Sequence, residues 1–273
     1  METKVVLITG ASAGIGLSAA EQLMNKGLKV YAASRRGGKS QKAESGEGEL
    51  IHVKMDVNKE DEIASVVAQI MKENSRLDAV ICNAGNGIAG SIEDTSSEEV
   101  RYQLETNFFG AVKTIQACIP VFRAQGYGKI IATSSVAAIV PIPFQAFYSA
   151  GKSALLVFMQ ALSIELKPFG IQCCSILPGD TKTEFTAARK YSLKSKSPDS
   201  VYQEKMNASV KKMEHDEQNG VDASKVARKM VSQILRKKMK VSVVPGIDYK
   251  LICFLFNRLP ANLRLWVVGL IYG

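Results

Sequence analysis

The chain has 273 residues, 46% of them hydrophobic, enough to build the core of one large globular domain. Five cysteines form no C-x-x-C pair, and two isolated histidines give zinc no ligand cluster, so no metal is expected. The net charge of +9 is uneven: residues 1–181 carry 17 Lys/Arg against 18 Asp/Glu, and residues 182–240 carry 15 against 7. With no nucleic-acid-binding pattern beside it, this local excess argues against a nucleic-acid partner, and suits an anionic membrane surface, an acidic ligand or a solvated helix face.

An apolar run, Lys4 to Thr9, opens the chain as a strand with no signal-peptide pattern before it. A cytoplasmic protein with reduced thiols is therefore expected, with peripheral contact to a membrane as an added option. Gly10-Ala-Ser12-Ala-Gly14-Ile15-Gly16 follows, then helical periodicity through Leu17, Ala20, Leu23 and Met24. Strand, glycine turn and helix together let the backbone approach a pyrophosphate, which the unpaired N–H groups of the helix start attract. The spacing G-x-x-x-G-x-G differs from the common G-x-G-x-x-G. The same residues also fit a G-x-S-x-G nucleophile elbow, which would make Ser12 the nucleophile of a serine hydrolase. That reading needs a later histidine, and only His52 and His215 follow.

A second strand, Leu28 to Ala33, ends at Ser34-Arg35-Arg36, where an acidic residue would bind a ribose 2′-hydroxyl and arginine accommodates a 2′-phosphate. The basic pair therefore points to NADP(H). Residues 37–49 read as a polar, glycine-rich, mobile loop. A third strand, Leu50 to Met55, reaches Asp56 and Val57; after a helix over 59–74, a fourth, Ala79 to Cys82, reaches Asn83-Ala84-Gly85. Strands alternating with helices predict a parallel sheet that binds ligand at its C-terminal strand ends.

Helical periodicity from Ser97 to Arg123 contains one polar position in its apolar stripe, Asn107, readable as a satisfied buried amide or as a functional group. A fifth strand, Lys129 to Thr133, leads to Ser134 and Ser135, and the next helix carries Tyr148 and Lys152. Four residues apart, these two share a helix face, so an ammonium can stabilise an ionised phenol; a chance surface pair is the bland alternative. A sixth strand, Ile171 to Leu177, ends at Pro178-Gly179-Asp180-Thr181-Lys182-Thr183, and its Cys173 and Cys174 are expected to pack. Residues 182–220 suit a movable lid, and 222–240 a basic helix before a last strand, Val241 to Pro245. Two apolar segments, 251–256 and 263–272, are each too short to span a bilayer. They could lie on a membrane, cover the pocket or pack in a dimer, and the basic helix nearby favours the membrane.

Taken together, Thr9-Gly-Ala-Ser-Ala-Gly-Ile-Gly16, Asp56, Asn83-Ala-Gly85, Asn107, Ser135, Tyr148-x-x-x-Lys152 and Pro178-Gly179 resemble the classical short-chain dehydrogenase/reductase family, most of all its NADP-preferring hydroxysteroid, retinol and acyl-dihydroxyacetone-phosphate reductase-like members. The resemblance implies a single-domain α/β Rossmann-type fold over 1–247, a doubly wound sheet of seven parallel strands with helices on both faces, and a helical extension over 248–273. It implies Tyr148 as general acid/base, Ser135 orienting the substrate oxygen, Lys152 holding the nicotinamide ribose and lowering the tyrosine pKa, and Asn107 in a water-linked proton relay. Gly10, Gly14 and Gly16 would take the pyrophosphate, Asp56 the adenine and Thr183 the nicotinamide amide. Ser12, Ile15, Arg35, Arg36, Val57, Asn83, Ala84, Gly85, Pro178, Gly179 and Thr181 would complete the cofactor set. Cys82 departs from the asparagine often found there. The expected reaction is NADPH-dependent interconversion of a ketone and a secondary alcohol, on a hydrophobic substrate or, alternatively, a small or carrier-bound carbonyl. A homodimer or homotetramer through helices 101–123 and 147–167 is expected.

Overall fold

A computed structural model describes residues 4–44 and 46–272; residues 1–3, Ser45 of the glycine-rich loop and Gly273 lie outside the described residues. The sheet contains β1 (Val5–Thr9), β2 (Lys29–Ser34), β3 (Gln41–Lys42), β4 (Glu49–Lys54) and β5 (Ala79–Cys82). A separate short strand, β6 (Ile88–Ala89), precedes the sheet strands β7 (Gly128–Thr133) and β8 (Ile171–Ile176). The strands β9 (Thr181–Lys182), β10 (Lys190–Tyr191) and β11 (Val221–Asp222) lie outside the sheet, which ends with β12 (Ser242–Val243). Its order is β12-β8-β7-β5-β1-β2-β4-β3, and all neighbours are parallel except β3. Seven parallel strands thus stand as the sequence predicts. The addition is β3, a two-residue antiparallel edge within the segment read as loop; its residues are exposed, so no apolar pattern announces it.

The central strands β1 and β5 are buried along their whole length because both faces are covered. Val5 and Leu7 of β1 face one core with α2 (Glu60–Asn74), α4 (Gly110–Gln125) and α5 (Ala146–Glu165), which contribute Ile63, Ile115 and Leu155. Val6 and Ile8 face the other, with α1 (Gly14–Met24) and α7 (Ala223–Leu235), which contribute Leu23 and Val226. The strand period of two divides Cys173 and Cys174 between these cores, so both are packing residues as expected.

The helix predicted over 97–123 is broken. Between α3 (Ser97–Leu104) and α4 runs a wider turn of π-helix, Glu105–Phe109, with Asn107 at its centre. One inserted residue re-aims a side chain without interrupting the apolar stripe, so the periodicity conceals it.

Residues beyond β8 build the outer wall. The pairs β6 with β10 and β9 with β11 anchor the segment carrying α6 (Gln203–Gln218). After β12, α8 (Ile247–Arg258) and α9 (Ala261–Tyr272) form the C-terminal extension. Among the described residues, no helix is long and apolar enough to cross a membrane.

Candidate active site

The site opens where strand order reverses, at the C-terminal ends of β1 and β5, the switch point at which open α/β sheets bind ligands. Gly10 has φ +65°, and a Cβ there would stand 2.7 Å from Ala84 Cα. Thr9 Oγ1 accepts from the backbone N–H groups of Asn83 and Ala84, both at 3.1 Å. Asn83 Nδ2 donates to the Gly10 carbonyl at 3.2 Å, and its Oδ1 accepts from Thr133 at 3.1 Å. Asn83 therefore ties three strand ends together. The α1 N-cap, Ala13, supplies no side-chain bond, which leaves the first N–H groups of that helix to whatever enters the turn.

Around this turn lies a cavity of about 980 Å³. Ser12, Gly14, Ile15, Arg35, Arg36, Asp56, Val57, Ala84, Gly85, Pro178, Gly179, Thr181 and Thr183 all line it, with Gly10 and Asn83. Gly16 and Asn107 stand behind its wall. Arg36, exposed past the end of β2, reaches Ser12 Oγ at 3.5 Å and Glu184 at 3.8 Å across the mouth. The Asp56 carboxylate accepts from the Asn58 N–H at 3.0 Å, which turns the chain beside the cavity. Neither His52 nor His215 lines the cavity, so Ser12 lacks the base that a hydrolase elbow requires.

Ser135, Tyr148 and Lys152 meet at the opposite wall of the same cavity. Ser135 starts a single helical turn, accepting from the Ala137 N–H at 3.0 Å, while its hydroxyl donates toward the Pro178 carbonyl at 3.4 Å. Lys152 is only 5% exposed; its ammonium donates to the Thr133 carbonyl at 2.8 Å and lies 5.6 Å from the centre of the Tyr148 ring. Burial pushes the Lys152 ammonium down to about 8. Burial also pushes the Tyr148 phenol up to about 12, opposed by the Ser135 hydrogen bond. The corner is dry and the Lys152 ammonium is turned to a carbonyl, so burial dominates at the phenol. At neutral pH the phenol carries its proton.

Asn107 is 1% exposed; its Nδ2 donates to the Asn86 carbonyl at 2.8 Å and its Oδ1 accepts from the Asn86 N–H at 2.7 Å. A Cβ on Gly85 would lie 3.1 Å from Asn107 Oδ1 and 3.7 Å from Lys152 Nζ, so the glycine lets amide and ammonium converge.

Val140, Ile142 and Gln145 add to the lining, as do residues that no motif marks individually. Phe185, Met213 and Glu217 enter from the outer wall, and Tyr249, Ile252, Ile271 and Tyr272 from the C-terminal helices. Tyr249 donates to Asp180 at 2.6 Å, and a Cβ on Gly179 would clash with its ring. Of the three placements considered for the extension, its inner face covers the pocket. A bare glycine at 179 and an apolar tail were the only signals in the sequence.

A glycine cradle at the switch point facing a buried phenol and ammonium defines an α/β oxidoreductase that uses a nicotinamide cofactor. The profile described as "short chain dehydrogenase" matches residues 4–193, and the chain belongs to that family. It is 35% identical over 278 residues to a 3-ketodihydrosphingosine reductase of Bacteroides thetaiotaomicron, covering 100% of this chain and 99% of that protein. Over 190 residues it is 35% identical to human retinol dehydrogenase 8, covering 67% of this chain and 60% of that one. A solved short-chain dehydrogenase from Streptomyces avermitilis superposes with a TM-score of 0.81 at 25% identity, covering 97% of this chain and 96% of its own.

Proposed function

We propose that this protein is an NADP(H)-dependent reductase of a long-chain hydrophobic ketone, with a keto amine of the sphingoid type as first choice. The observation that carries the reading is the joining of Ser135, Tyr148 and Lys152 to a glycine cradle in one cavity with an apolar outer half. The cradle suits a dinucleotide because side chains at Gly10 or Gly16 would fill it. A bound nicotinamide supplies the hydride. Ser135 and Tyr148 present hydroxyls to the carbonyl oxygen, and Tyr148, protonated at neutral pH, gives the proton that makes the alcohol. Lys152 would hold ribose hydroxyls, and Asn107, which fixes the loop at 85–87 through the Asn86 backbone, would hold the water of a proton relay beside Lys152.

Lys152 makes binding of the cofactor depend on pH. With its pKa depressed to about 8, the ammonium is charged below that pH and neutral above it. Affinity of the free enzyme for NADPH is therefore expected to fall as pH rises through about 8, and Lys152→Met to remove that inflection, read by NADPH fluorescence titration.

Arg36 supports a 2′-phosphate from its position beside Ser12, with Arg35 adjacent. The keto-amine choice draws on the full-length likeness to the 3-ketodihydrosphingosine reductase. It draws also on Asp180, a carboxylate lining the cavity whose pKa burial raises, and which an ammonium would stabilise. The outward faces of α8 and α9 expose Leu251, Phe254, Leu265 and Trp266 beside Lys250 and Arg258, which supports attachment to an anionic membrane holding such a substrate. Exposed Val157 and Ile164 on α5 support a homodimer or homotetramer.

The test is a carbonyl panel with NADPH and NADH, in which long-chain 3-keto amines are offered in anionic vesicles beside small and acyl-carrier ketones. The long-chain ketones with NADPH are expected to react fastest. Arg36→Ala is expected to cost about 10-fold or more of the NADPH preference, as the loss of a charged hydrogen bond. Fastest turnover of a small or carrier-bound ketone would overturn the substrate assignment, and equal use of NADH the cofactor assignment.

A further inference from the structure

Between β9 and β10 the basic outer segment hides one cation completely. The Arg189 side chain has 0% exposure; its Nη2 pairs with Glu217 of α6, and its Nη1 stands 3.8 Å from Glu214. Arg189 Nε and Nη1 are buried without a hydrogen-bond partner. Thr186 donates to Glu217 at 2.6 Å, and Tyr191 to Glu214 at 2.9 Å. The guanidinium also lies 5.9 Å from the centre of the Phe185 ring, and that ring packs on Tyr148 with centroids 5.8 Å apart. Buried ion pairs contribute little net stability, since desolvation cancels most of the attraction. Conformational specificity is the better account of a pair set one ring away from the acid.

We propose that Arg189 and Glu217 are positioning residues, a buried latch that holds α6 over the cavity and seats Phe185 against the Tyr148 phenol. The proposal rests on Tyr148 being the proton donor. The charged groups around that phenol are Lys152 from its own helix, Glu217 from α6 and Arg189 from the outer segment, while Asp180 and Lys190 line the same cavity. Glu217 raises the phenol pKa and Arg189 lowers it, so the two halves of the pair act in opposite directions at Tyr148.

Two measurements test the latch. Amide exchange needs no substrate: Arg189→Met and Glu217→Gln are each expected to speed exchange about 10-fold over 183–191 and 203–218, with the central sheet unchanged. Unchanged exchange in those segments would overturn the proposal whatever the substrate is. The second is the split of KM against kcat at neutral pH, with the ketone that the wild-type protein reduces fastest in the panel. Arg189→Met and Glu217→Gln should each raise KM about 10-fold while kcat stays within a few-fold, because the wall that seats Phe185 loosens while the phenol keeps its proton. Arg189→Lys, which keeps the charge, should restore KM, and carries the test with Glu217→Gln if Arg189→Met fails to fold. An unchanged KM, or a loss that Arg189→Lys does not restore, would mean ordinary packing. Failure of Tyr148 as the donor would appear separately, in Tyr148→Phe with the latch intact.

Discussion

Tyr148→Phe is expected to lower kcat by about 10³-fold or more while NADPH still binds, since a positioned acid contributes roughly 10² to 10⁴. The change deletes one oxygen. The ring keeps its place against Phe185 and Lys152, so no cavity opens and the fold is left in place. The phenol is held at about 12 mainly by burial, and its removal relieves a desolvated hydroxyl. Melting temperature should therefore stay within a few degrees while turnover collapses. Phenylalanine cannot protonate an alkoxide, and Ser135, still tied to Ala137 and Pro178, keeps only the polarising half of the site. Turnover within a few-fold of wild type would refute the assignment.

Gly16→Ala should be the most damaging small change at the cofactor end. A Cβ there would sit 2.6 Å from Asn83 Nδ2 and press on the Gly10 carbonyl, the two partners whose hydrogen bond joins β1 to β5. Backbone lies on one side and the knot of strand ends on the other, so the start of α1 must move. Overpacking of this kind costs about 1 to 3 kcal/mol, or several degrees of melting temperature at this size. Because the displaced element is the one that offers its N–H groups to a pyrophosphate, NADPH affinity should fall about 100-fold or more. Gly27→Ala separates the two effects: φ is +80° and nothing lies within 4 Å, so it should cost about 1 kcal/mol of stability with the cofactor bound as before. Equal loss of affinity in both variants would mean that general destabilisation, not the cradle, is being read.

The parallel sheet was legible because its strands are apolar on both faces and each ends in a chemically distinctive turn, at Gly10, Arg35, Asp56, Asn83, Ser135 and Pro178. The spacing of Tyr148 and Lys152 placed both on one helix face, and only the resemblance gave them roles. Their electrostatics were not legible, because the phenol is buried against Phe185 and feels the charges of Glu217 and Arg189, which fold in from a distant segment. That segment reads as a solvated basic lid, and nothing local marks Arg189 as the cation that is buried. The π turn at Asn107 is invisible for another reason: it shifts register by one residue without altering which positions are apolar. Covering of the pocket by the C-terminal segments was one of three placements open to the sequence, and only the contact of Tyr249 with Gly179 and Asp180 in three dimensions singles it out.

The most direct measurement of the central claim follows one deuterium. The wild-type protein is given NADPH deuterated on the transferred position and a long-chain 3-keto amine in anionic vesicles, and the product is read by mass spectrometry. The expected result is an alcohol with one deuterium on the new carbinol carbon, formed about 10³-fold more slowly when Tyr148→Phe is used. No alcohol from this ketone or any other in the panel, or an alcohol without the label, would contradict the account.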